Sequence, residues 1–189
     1  MDIERVRTFI AIELPDSVKV QIGNLEASLM KARADVKWVD PANMHITLKF
    51  LGEIALERVT VAQSGVRDAL VGLRPFTLSL SQLGAFPDLD RPRVLWIGCS
   101  NGIDILLNLQ EEIESCLIAQ EFVREARPFS PHLTIGRIRS PKGLGTLTDI
   151  AKEMAFEVSD FRVENVAVVK SQLKPGGPAY SVIERVALG

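Results

Sequence analysis

The sequence predicts an α+β fold, and three observations predict it. Apolar residues recur at helical spacing in some segments and in strict alternation in others. The two kinds of segment mix without the regular strand–helix–strand repeat of a parallel sheet. No Gly-rich loop opens a helix in the manner of a phosphate cradle or a dinucleotide site, since Gly176-Gly177 stands between prolines instead.

Each element follows from local chemistry. Thr8 to Glu13 is apolar and β-branched and reads as a strand. Pro15 and Asp16 start a helix whose Val18, Ile22, Leu25 and Leu29 make one apolar face. Val36 to Val39 is a short strand, Pro41 breaks the chain, and His45 to Leu51 is the next strand. A second helix is expected from about Leu56 to Leu73, ended by Arg74-Pro75. Phe76 to Ser81 alternates apolar and polar residues as a half-buried strand does. Gly84 to Pro92 reads as a loop, because Pro87, Asp88 and Asp90 form turns.

Val94 to Cys99 is a strand, and Ile103, Leu106, Leu107, Ile113 and Leu117 mark a third helix. After Arg127-Pro128 comes a strand from His132 to Ile138, then a loop at Pro141 to Gly145 and a short helix near Thr148 to Met154. Phe156 to Leu173 holds one or two strands. Lys174-Pro175-Gly176-Gly177-Pro178 is a turn, and Tyr180 to Ala187 closes the fold.

A chain of 189 residues makes one ordinary domain, here 1–189, or two small lobes sharing a core. Its 22 Lys+Arg and 24 Asp+Glu leave a net charge of −2. That excludes a general nucleic-acid binder, whose affinity for phosphate backbones needs surplus cations, so any such contact is local. No apolar run is long enough to span a bilayer. Asp2, Glu4, Arg5 and Arg7 do not suit a secretory signal. Cys99 and Cys116 lack metal-ligand spacing and read as free thiols, which suits a reducing cytoplasm. No metal site is expected, because the chain lacks a cluster of soft ligands.

The two histidines carry the chemistry. His45-Ile46-Thr47-Leu48 and His132-Leu133-Thr134-Ile135 share one pattern, His–apolar–Thr–apolar, each with a proline four residues upstream, at Pro41 and Pro128. Seven of 189 residues are threonine. A Thr two places after both histidines is therefore a chance event of about one in a thousand. Alternation in a strand puts His45 with Thr47, and His132 with Thr134, on one face. Two imidazoles and two hydroxyls meeting in one groove suit acid–base catalysis of phosphoryl transfer. One ring takes the proton of a nucleophile and the other protonates the departing oxygen. The hydroxyls donate to the non-bridging oxygens.

Those motifs resemble the two-histidine phosphoesterases, and within them the RNA 2′,3′-cyclic phosphodiesterases first described as 2′-5′ RNA ligases. The resemblance also covers Arg7 to Pro15, Val36 to Val39 leading into Asn43 to Gly52, Pro128 to Arg137, and Ser171 to Tyr180. It implies a bilobal fold of two antiparallel sheets flanked by helices, with the histidines in a central cleft of pseudo-twofold symmetry. It implies hydrolysis of a terminal 2′,3′-cyclic phosphate to a 2′-phosphate, with RNA ends or related nucleotides as partners. It implies no cofactor, and no obligate protein partner is evident. It further implies His45 as proton donor and His132 as proton acceptor, roles the near-symmetric motifs do not themselves distinguish. Reversible 2′-5′ ligation belongs to the same implication.

Arg137, five residues after His132, falls on the opposite face of a regular strand yet can reach phosphate where regularity fails. Arg127, Arg139 and Lys142 form a local basic cluster, and Lys49 shares the face of His45 by alternation. Phe9, Trp38, Phe129 and Tyr180 are candidates to stack on a base. Two other readings use the same groove. One is a non-catalytic nucleotide- or RNA-end-binding module. The other is an enzyme acting on a small cyclic phosphate ester.

Overall fold

In the computed structural model, which describes residues 4–175 and 177–189, ten strands and four α-helices alternate irregularly along the chain. The strands are β1 Arg5–Glu13, β2 Val36–Trp38, β3 His45–Ala55, β4 Phe76–Leu78, β5 Leu80–Phe86, β6 Val94–Cys99, β7 His132–Ile138, β8 Phe161–Val163, β9 Asn165–Lys174 and β10 Gly177–Ala187. The helices are α1 Asp16–Leu29, α2 Leu56–Leu70, α3 Ile103–Ala119 and α4 Leu144–Glu153. The α+β expectation holds, with two four-stranded antiparallel sheets ordered β10-β9-β1-β3 and β2-β7-β6-β5. A third, two-stranded sheet joins β4 to β8.

Helices α2 and α3 pack on each other and against the first sheet, while α1 and α4 belong to the second lobe. One apolar cluster runs through both lobes, with Ile10, Ile12, Ile46, Leu106, Ile113, Leu133 and Ile135 at 0–1 % exposure. A smaller cluster of Phe9, Ala11, Ala167 and Val169 lies on the other face of the first sheet, with Tyr180 and Val182 packed on it. β3 and β7, the strands that begin with the two histidines, are neighbours where the sheets meet.

The expected strand over Phe76–Ser81 is in fact two strands in different sheets, divided at Ser79. Ser79 is buried, its hydroxyl bonds the Asp160 carboxylate, and its backbone is held by Asn101 and Ser100. The expected loop at Gly84 is still strand as far as Phe86. Gly84 faces Trp96 of β6, and a Cβ there would stand 2.3 Å from the indole. The glycine serves close packing rather than a turn. Helix α4 starts four residues earlier than expected, after Gly143, whose φ of 70° suits glycine. The Lys174–Pro178 turn joins β9 to β10; its Gly176, like Asp2 near the start of the chain, lies outside the described residues.

Candidate active site

Both histidine strands carry the same backbone irregularity at the same place. On β3, Thr47 pairs with Ala11 and Lys49 with Ile10, so Leu48 is an extra residue, a β-bulge. On β7, Thr134 pairs with Trp96 and Gly136 with Leu95, so Ile135 is the extra residue. Each bulge reverses the alternation beyond it. The residue four after the histidine turns inward: Lys49 and Gly136 are both buried. The residue five after turns towards the cleft, and these are Phe50 and Arg137.

The bulges correct one expectation and explain another. Lys49 does not share the face of His45. It is 5 % exposed and pairs with Glu114 of α3 at 2.7 Å, while donating a second bond to the Val123 carbonyl at 2.9 Å. Arg137 reaches the cleft because the strand is irregular.

A cleft of about 890 Å³ lies between the lobes and is lined by His45, Thr47, His132 and Thr134 together. Phe9, Arg137 and Tyr180 line it as well, so these seven of the side chains singled out in the sequence meet in one cavity. Trp38 also lines it, whereas Phe129 packs on the core. Arg127, Arg139 and Lys142 are not in its wall. Among the described residues the cations there are Arg7, Lys37, Arg137 and Lys174, against the single carboxylate of Asp40, which makes the cleft locally basic on a chain of net charge −2.

Both rings are tethered alike. His45 Nδ1 lies 2.8 Å from the carbonyl of Asn43, and His132 Nδ1 lies 2.7 Å from that of Ser130. A carbonyl only accepts, so Nδ1 carries the hydrogen in each ring and Nε2 is left to take or give a proton in the cleft. The Asn43 side chain donates to the Pro178 carbonyl at 3.3 Å, fastening the β9–β10 hairpin to the turn before His45. Helix α1 packs on that turn and buries Glu26 at 3 % exposure, with Oε1 lacking a hydrogen-bond partner among the described residues. Burial, with Asp40 adding to it, pushes the Glu26 carboxyl up to about 8.

The surroundings of the two rings differ. His45 stacks on Phe9 at 4.6 Å and meets the edge of Tyr180 at 5.2 Å. Burial there lowers its pKa from the ordinary 6.5, against an upward pull from the Asn43 carbonyl and from Glu13. Phe9 is only 2 % exposed, so it backs an imidazole and offers little face to a base. His132 has one aromatic neighbour, Phe86, edge-on at 5.0 Å, itself backed by Trp96 at 5.3 Å.

The sequence reading missed Arg7, Lys37, Phe50, Phe86 and Lys174. Alternation from Phe9 along β1 would have found Arg7. Nothing local marks Phe50, because the bulge that exposes it is set by pairing with β1. Among the described residues no group of three or more His, Cys, Asp or Glu side chains is placed to hold a metal ion.

Comparison with known proteins gives a consistent result. The sequence pattern of the family described as LigT like Phosphoesterase matches twice, over residues 12–96 and 97–180, one copy for each histidine motif. A protein of Methanothermobacter thermautotrophicus named RNA 2′,3′-cyclic phosphodiesterase is 34 % identical over 181 residues, covering 95 % of this chain and 97 % of its own length. The crystal structure of TT0787 of Thermus thermophilus superposes with a TM-score of 0.78 at 28 % identity, over 96 % of this chain and 97 % of that one. LigT of E. coli, solved with 3′-AMP, gives 0.78 at 26 % identity over 98 % and 99 %.

Proposed function

The chain belongs to the LigT-like phosphoesterase family, and on that premise we propose that it is an RNA 2′,3′-cyclic phosphodiesterase working by paired-histidine acid–base catalysis. One observation carries the reading. Two imidazoles line a single basic cleft, each tethered at Nδ1 and free at Nε2, each beside a threonine on its own strand. Residues 1–189 act as one two-lobed unit, in keeping with the apolar cluster shared by the lobes.

The cyclic phosphate sits between the rings. His132 Nε2 takes a proton from water as the water oxygen attacks phosphorus, and the P–O3′ bond breaks. His45 Nε2 delivers its proton to O3′, leaving a 2′-phosphate. Thr47, Thr134 and Arg137 donate to the non-bridging oxygens, whose charge changes in the transition state. With a 5′-hydroxyl in place of water, the same geometry makes a 2′-5′ linkage. Tyr180 and Phe9 hold the His45 ring in its orientation. No cofactor enters the scheme. No helix among the described residues is long and apolar enough to cross a membrane, and two free thiols suit a reducing cytoplasm.

The lowered pKa of His45 has a mechanistic consequence. A depressed value means a neutral ring at pH 7 in the free protein. The anionic substrate then favours the imidazolium and draws a proton onto the ring it needs charged.

The test is the product formed from an RNA oligomer ending in a 2′,3′-cyclic phosphate, with chelator present. A 2′-phosphate is expected. A 3′-phosphate would reverse the direction of attack. Binding without turnover at any pH would make the protein a nucleotide-binding module instead.

A further inference from the structure

We infer that Lys37 forms a second phosphate subsite in the cleft, which takes the phosphate on the 5′ oxygen of the terminal nucleotide, so that RNA ends are preferred over free nucleoside cyclic phosphates. The inference rests on the reading of the cleft as a cyclic phosphodiesterase site and assigns a ligand to a cation that the mechanism leaves unused.

Strand pairing builds the position. In the β2–β7 ladder Lys37 stands directly opposite Arg137, with Val36 opposite Ile138 and Trp38 opposite Gly136. The pairing runs on at both ends: the Val39 amide donates to the Ile135 carbonyl and the Arg139 amide to the Asp35 carbonyl, each at 2.9 Å. Val36 and Trp38 close over Gly136, where a Cβ would stand 2.8 Å from one and 3.2 Å from the other. This packing seats Lys37 beside Arg137, and both side chains are exposed and line the cleft.

Like charges directly opposite on neighbouring strands destabilise a sheet. Among the described residues neither Lys37 nor Arg137 is in an ion pair. Asp40, the carboxylate in the cleft wall, gives one oxygen to the Ala42 amide at 2.9 Å. Two cations held together without a counter-charge repel, and bound anions relieve that repulsion. β2 is a sheet edge, where a lysine also discourages pairing with other chains. That role needs neither an arginine opposite nor a place in a cleft wall.

The two cations divide one substrate between them. Arg137 is the inner one. Burial raises the pKa of Tyr180, and Arg137 with Arg7 pulls it back, so Arg137 stands close to the rings around His45. Lys37 lies one strand further out. Opposed positions carry their Cβ atoms about 4.5–5.5 Å apart. Anions bound there lie side by side, as successive phosphates of one strand do. With the cyclic phosphate at Arg137 and the two imidazoles, the next anion along the RNA is the diester on the 5′ oxygen of the same nucleotide. A nucleoside cyclic phosphate lacks that group.

The test compares adenosine 2′,3′-cyclic phosphate with its 5′-phosphorylated form. The wild type is expected to show a KM about 3- to 10-fold lower for the 5′-phosphorylated substrate, the weight of one exposed charge-assisted contact. In Lys37→Gln the ratio of the two KM values should fall towards one, and in Lys37→Arg it should persist. On an RNA oligomer ending in a cyclic phosphate, log(1/KM) should fall with log salt less steeply in Lys37→Gln, by about 0.7, for one phosphate contact fewer. A thermal melt should show that variant no less stable than the wild type, since it removes one of two opposed like charges. Equal KM values in the wild type, or a preference that survives in Lys37→Gln, overturn the inference. So does a loss equal on both substrates and joined to a lower melt, which would make the lysine structural. If the wild type turns over neither substrate, the cyclic phosphodiesterase reading falls. Calorimetric binding of adenosine 2′,5′-bisphosphate against 2′-AMP then decides the subsite. A preference for the bisphosphate that Lys37→Gln abolishes supports it, and equal binding overturns it.

Discussion

The two halves of the cleft share a backbone and differ in what stands behind it. β3 and β7 each begin with a histidine, tie Nδ1 to the carbonyl two residues upstream, place a threonine beside the ring and bulge one residue later. Beyond those features they diverge. His45 is sunk against Phe9 and Tyr180, while His132 meets only the edge of Phe86. The inward position after the bulge is a buried ion-paired lysine in one half and a glycine in the other. Repetition supplies two proton-transfer groups at one centre. Divergence around them supplies the asymmetry that a reaction with one base and one acid requires.

Removing either ring is the most severe way to break this comparison. His45→Ala and His132→Ala should each lower kcat on a cyclic nucleotide by roughly 10²–10⁴-fold. An aryl phosphodiester whose nitrophenolate leaves without a proton sharpens it. If His45 is the donor, its alanine variant recovers on that substrate and the His132 variant does not. The opposite pattern would exchange the roles.

The inward positions come next. Lys49→Ala leaves Glu114 buried without its counter-charge and should cost about 3–5 kcal/mol, read in chemical denaturation. Lys49→Met with Glu114→Leu removes both charges and should recover much of that loss. Gly136→Ala should cost less, about 1–3 kcal/mol, because a Cβ would stand 2.8 Å from Val36 and 3.2 Å from Trp38.

Glu26 exists on one side only and gives that half a pH dependence of its own. Its pKa is raised to about 8 in the fold, so the native state holds a proton that the unfolded chain releases near 4.5. Stability therefore falls as pH rises from about 4.5 through 8, and levels off above it. Glu26→Gln should abolish that fall. We expect the variant to melt about 4–8 °C above the wild type at pH 9, with little difference at pH 4.

The smallest expected effect is a shift in a pH profile. With His45 as donor, its lowered pKa sets the alkaline limb of kcat/KM, which therefore begins below pH 6.5. In kcat that limb moves upward, because bound phosphate favours the imidazolium. Were His45 the base, the depressed value would appear as the acid limb. Titration of the ring by NMR assigns it directly.

Much of this was written in the residues. Strand alternation placed both threonines beside their histidines, and helical spacing located α1 and α3. What escaped depended on partners distant in sequence. Ser79 continues an alternating run, but its hydroxyl goes to Asp160 and its amide to Asn101, which divides the strand. Lys49 continues the polar face of its strand until the register with β1 turns it to Glu114. Gly84 has the composition of a loop and the function of a gap for Trp96. Alternation is a property of one segment, whereas a bulge belongs to a pair.

β1 lies between β3 and β9, so the sheet behind His45 joins the first strand of the chain to one that begins at Asn165. A ribosome delivers these pieces in order, and one edge of β1 has no partner until the strand that begins at Asn165 has emerged. The His45 wall, including the hairpin fastened to Asn43, is thus completed only after the strands of the second sheet have emerged. Until then, an apolar strand edge stands open to whatever chain it meets first.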